Sequence, residues 1–161
     1  MSISVRALRR FGLALAVLGA SLGSELIPVP AFAKEAAIYS EVPGGPALSG
    51  YDPVGYFLDG KPVKGNSQIS ATYSGVTWYF ASVAHKTTFE ANPAKYAPQY
   101  GGYCAYAVSQ GHTASADPTT GKVVNGKLYV NYNHAVAALW SLDRPGYISK
   151  ANAHWPSVLG K

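Results

Sequence analysis

Two glycine-containing dipeptides, Ser74-Gly75 and Asn125-Gly126, constrain this chain more than any other feature of its sequence. Each splits a pair of β-prone runs: Ile69 to Tyr73 and Val76 to Phe80 around the first, Val123-Val124 and Lys127 to Val130 around the second. A two-residue turn whose residues accept positive φ matches the twist of paired strands, so both segments read as antiparallel hairpins. Tyr51 to Leu58, closed by Asp59-Gly60, reads as a further short strand. Between the strands lie helix signals. Ser82 is placed to cap a helix running to about Ala91, and Asn92-Pro93 ends it and opens another short turn. Tyr103 to Ser109, stopped by Gly111, favours a short helix. Asn133 caps a helix from His134 to Leu142, and Pro145 opens a last one ending near Trp155-Pro156. The expected fold class is α+β: a small single domain of short antiparallel strands and hairpins with several short helices packed on them.

Not all 161 residues are expected to join that domain. Residues 1–33 carry Arg6, Arg9 and Arg10, then an apolar run from Phe11 to Leu22, then Ala31-Phe32-Ala33 before Lys34. This is the layout of a cleaved signal peptide, and the apolar run is shorter than the roughly 20 residues that span a bilayer. The mature chain is therefore expected to be periplasmic or secreted, without a stable membrane anchor. Its organisation reads as an extended lead-in over residues 34–50, a domain over 51–156 and a C-terminal tail over 157–161. The mature part keeps ten of thirteen basic and seven of eight acidic residues, so the net charge falls from +5 to +3. No Lys/Arg cluster follows residue 34, which argues against nucleic-acid binding.

Cys104 is the only cysteine, so an exported chain has no internal disulfide for it to join. It follows Gly101-Gly102 at an expected helix start, where free backbone N–H groups suit a thiolate. His85 is the third residue of the helix that Ser82 caps, where the positive end of the dipole suits a neutral, metal-binding imidazole. Thiolate and imidazole together suit copper, zinc or nickel. His112, eight residues past Cys104, is the natural third candidate ligand. Asp52 could supply a carboxylate, though Asp-Pro is first a turn opener. His134 and His154 read as structural or solvated. Nucleophilic catalysis by Cys104 would need a base with an orienting partner, and none is evident nearby, so the chain is not expected to be an enzyme.

These residues resemble the YHS domain family in its small exported bacterial form. The resemblance is carried by Tyr51-Asp52-Pro53-Val54-Gly55-Tyr56-Phe57, Tyr73-x-Gly75, Tyr79-Phe80-x-Ser82-x-x-His85, Phe89-x-x-Asn92-Pro93-x-x-Tyr96 and Tyr100-Gly101-Gly102-Tyr103-Cys104. The run from Asn125 to Asn133 is similar to a later segment of the extended version. The resemblance implies a compact α+β domain linked to heavy-metal handling. In the cysteine-rich versions Asp-Pro-Val is followed by cysteine, and the strand-to-helix turn carries Cys-Ser-x-x-Cys. Here Gly55 and Ala81 stand at the first two of those cysteines and His85 at the last. The expected function is binding of a copper, nickel or zinc ion through His85 and Cys104, as carrier or buffer, with a protein partner of unknown kind. The alternative is a non-enzymatic protein- or ligand-binding module presenting its tyrosines, with Cys104 structural.

Overall fold

The computed structural model describes residues 34–160. The leader expected over residues 1–33 lies outside the described residues. Both hairpins form. β1 (Asn66–Tyr73) pairs antiparallel with β2 (Val76–Phe80), and β3 (Asp117–Val124) with β4 (Lys127–Asn131). At their turns Ser74 and Gly75 have φ of 52° and 77°, and Asn125 and Gly126 have 50° and 73°. These are the left-handed conformations that a two-residue hairpin turn demands. Each hairpin carries an irregularity at its far end, between Asn66 and Ser70 and between Asp117 and Lys122.

Six α-helices accompany the hairpins among the described residues: α1 (Gly55–Leu58), α2 (Val83–Ala91), α3 (Pro93–Tyr96), α4 (Ala105–Ser109), α5 (His134–Ser141) and α6 (Arg144–His154). The architecture is therefore α+β. Four helices start where a side-chain oxygen meets the free N–H groups of their first turn. Ser82 accepts from His85 N, Asn92 from Lys95 N, Asn133 from Val136 N and Asp143 from Gly146 N. Three of those caps are legible in the sequence; Asp143 stands two residues ahead of the expected start at Pro145.

The strand expected over Tyr51–Leu58 does not form. Asp52 Oδ1 accepts from Val54 N at 2.8 Å, and Phe57 N and Leu58 N both donate to Val54 O. The carboxylate thus closes a local turn that competes with strand pairing, and the aromatic run coils into α1. Only Tyr51 keeps an isolated bridge, to Lys64.

Strand β4 organises the interior. Leu128, Tyr129 and Val130 are all buried, and alternate side chains of a strand point to opposite faces. Leu128 and Val130 belong to a cluster with Trp78, Phe80, Phe89 and Val54, whereas Tyr129 packs with Tyr100, Val108, Trp140 and Ala151. The segments expected as lead-in and tail also supply core residues: Ala47 and Leu48 to the first cluster, Val158 and Leu159 to the second. Glu35 N donates to Leu159 O and Tyr39 N to Gly101 O, tying the N-terminal segment to the C-terminal one and to the turn ahead of α4. No helix among the described residues is long and apolar enough to cross a membrane.

Candidate metal centre

The chemistry gathers around Asp52, which is fully buried. The α1 turn and the β2–α2 connection meet at this carboxylate. Oδ1 accepts from Val54 N, while Oδ2 accepts from Ala81 N at 2.8 Å and lies 2.7 Å from His85 Nδ1. A buried carboxylate is tolerable only when its oxygens are satisfied in this way. The Asp52 carboxylate has only lone pairs to offer, so the proton of this bond is on His85 Nδ1, and in the neutral ring the lone pair belongs to Nε2. Ser82 fixes the start of α2, and with it the position of His85 at the third helical residue.

The outward nitrogen faces a second acid. Asp59, at the end of α1, has Oδ2 4.0 Å from His85 Nε2 and a side chain 39% exposed, against 15% for the histidine. A carboxylate that grips one ring nitrogen while the other points at a candidate donor is the arrangement seen behind metal-binding histidines. Because Asp52 holds the opposite nitrogen, it cannot share an ion with Nε2. Consistent with that, no group of three or more His, Cys, Asp or Glu side chains among the described residues is placed to hold a metal ion. The site as built is an imidazole and a carboxylate, a donor pair that suits zinc, copper or nickel.

The positions implied by the resemblance converge on the same place. A Cβ on Gly55 would lie 3.4 Å from Asp59 Oδ2, Ala81 N bonds Asp52, and His85 bridges the two acids. Where cysteine-rich versions set sulfurs, this chain presents a histidine, an alanine and a glycine packed against Val63 and Asp59.

Cys104 has a different setting. It is 1% exposed and takes the N-cap position of α4, its Sγ accepting from Ala107 N at 3.5 Å and lying 3.8 Å from Asn131 Oδ1. Its backbone donates to Ala114 O and bridges to Val130. The hydrogen-bonding partners of Cys104 and of His85 share no residue. His112 is exposed, its backbone N–H donating to Ala107 O at 3.3 Å. His134 and His154 have local structural roles, with Nε2 of the first 3.1 Å from Thr119 Oγ1 and Nδ1 of the second 3.0 Å from Val108 O. Asp59 is the site residue that sequence reading passed over, because next to Gly60 it reads as a turn former. Asp52, read from the sequence as a turn opener and a possible carboxylate donor, serves as the turn opener and as the histidine's anchor together.

Fold and site thus define a small α+β domain organised on a buried aspartate–histidine pair. The YHS domain family model matches residues 54–100, and over that segment the chain is a YHS domain, a family associated with metal binding. The match takes in α1, the first hairpin, α2 and α3, and stops ahead of Cys104 and of the second hairpin. No curated protein and no solved structure matches the chain.

Proposed function

We propose that this is an exported metal-binding protein that holds a copper, nickel or zinc ion at His85 Nε2, with Asp59 as second donor, and acts as carrier or buffer. The observation that carries the reading is the 2.7 Å bond from the fully buried Asp52 to His85 Nδ1. That bond fixes the ring and leaves Nε2 free, as a metal ligand requires. A two-donor site leaves the remaining coordination positions to water or to another molecule. Such an ion is exchanged rather than locked in, unlike one in a closed four-ligand structural site. Export rests on the leader-like layout of residues 1–33.

The test is equilibrium uptake of each metal by the purified protein and its variants. His85→Ala is expected to abolish uptake, Asp59→Asn to weaken it, and Asp52→Asn to weaken it roughly 10- to 100-fold by loosening the ring. Unchanged uptake in His85→Ala sinks the proposal. Cys104→Ala is expected to leave uptake intact; a loss there equal to that in His85→Ala would bring the sulfur into the site. The module reading finds less support, since among twelve tyrosines only Tyr132 is exposed and the rest are buried or half-buried.

A further inference from the structure

Away from the histidine site, a cavity of about 280 Å3 lies where β3 and β4 meet α5 and α6. Its lining includes Thr120, Lys122, Asn131, His134, Trp140, Ser141 and Arg144, and no acidic side chain. Two of these residues break the rule that buried polar atoms find partners. Trp140 is 1% exposed and its indole N–H has no acceptor; the Nε–H of Arg144 is likewise buried and without one. The guanidinium lies over the Trp140 ring, 5.7 Å from its centroid, so both unmatched donors belong to one packed unit.

The side-chain oxygens bordering this cavity are already engaged, and His134 Nε2 lies 3.1 Å from Thr119 Oγ1. Thr120 Oγ1 donates to Asp117 O and accepts from Asn131 N. Ser141 Oγ donates to Ala137 O and accepts from Arg144 Nη2. Asn131 Oδ1 accepts from Tyr106 N, which leaves its amide N–H2 as the group free to serve the cavity. Neither Lys122 nor Arg144 forms an ion pair among the described residues. Beside these engaged oxygens stand the unmatched donors of Trp140 and Arg144, with the Lys122 cation bordering the same space. We infer that this cavity binds a small oxyanion, held by the Arg144 guanidinium and the Trp140 indole N–H with Lys122 at its rim. An oxyanion offers several lone pairs at once, and charge-assisted bonds to arginine are the strong kind. The cavity lies at the small end of the range for ligand sites, which suits a phosphate- or carboxylate-sized group better than a larger molecule.

The three tryptophans make the test direct. Their indole N–H signals are followed by 1H–15N correlation spectroscopy while the protein is titrated with inorganic phosphate, and in a second arm with acetate, at constant ionic strength. The Trp140 signal, assigned by its loss in Trp140→Phe, is expected to shift saturably. The Trp78 signal, whose N–H already donates to Tyr73 O, is expected to stay and so report an intact fold. Arg144→Gln is expected to weaken binding roughly tenfold or more, and Lys122→Gln by less. Response to phosphate alone identifies a tetrahedral oxyanion, and response to acetate a carboxylate. No saturable shift in either arm, or the same affinity in Arg144→Gln with the Trp78 signal unmoved, overturns the inference.

Discussion

Asp52 shows how much one side chain can do when it is buried with every oxygen satisfied. It opens the α1 turn, pins the strand-to-helix connection at Ala81 and fixes the His85 ring, all through bonds of 2.7–2.8 Å. The first of these roles follows from Asp-Pro in the sequence; the other two join residues 29 and 33 positions away. Tyr103 gives this scale its pH test. Burial, reinforced by Glu35 and Tyr39, pushes its hydroxyl up from the ordinary value near 10 to about 12, and that hydroxyl donates to Ala36 O at 2.8 Å. The folded state therefore keeps a proton that the unfolded chain gives up. Its stabilising share is complete below pH 10 and is lost as pH rises towards 12. Urea midpoints measured across that window should fall, and Tyr103→Phe should flatten the fall while costing about 1 kcal/mol at neutral pH.

Among the elements, the turn ahead of α4 is the most demanding. Tyr100, Gly101 and Gly102 have φ of 55°, 61° and 86° in succession, and the lead-in passes directly over them. A Cβ on Gly101 would sit 1.9 Å from Ala37 O, against open space around Gly126. Gly126→Ala should therefore cost only its left-handed conformation, about 1–2 kcal/mol. Gly101→Ala should cost more, about 2–4 kcal/mol, and should expose residues 34–40 to protease, because the added methyl displaces the lead-in. Equal destabilisation by both substitutions would refute the idea that backbone contact dictates the glycine. The caps and hairpin turns were legible because each depends on residues three or four apart. The α1 run misled for the converse reason. Its aromatic composition fits a strand, and one carboxylate bond to Val54 N outweighs that preference.

At the scale of the whole molecule, β4 runs between two aromatic clusters with Cys104 bridged to Val130 beside it. The sulfur is sealed, so reagents should reach it only through large openings of the fold. Alkylation at neutral pH should be on the order of 10³-fold slower than in urea-unfolded chain and should track the unfolding free energy as urea is raised. Fast labelling without urea would show that α4 opens by itself. The α+β class, both hairpins and most helix starts were determined by the sequence alone, since turn geometry and capping act over a few bonds. His85 could be singled out there as well, from its place beyond Ser82. Asp52 could be named there only as a possible carboxylate and Asp59 not at all, because both come from the α1 turn, and only the packing of that turn against the β2–α2 connection brings them to the ring. The setting of Cys104 was likewise decided in three dimensions, where the strand beside it and the cap of α4 claim the sulfur for the interior.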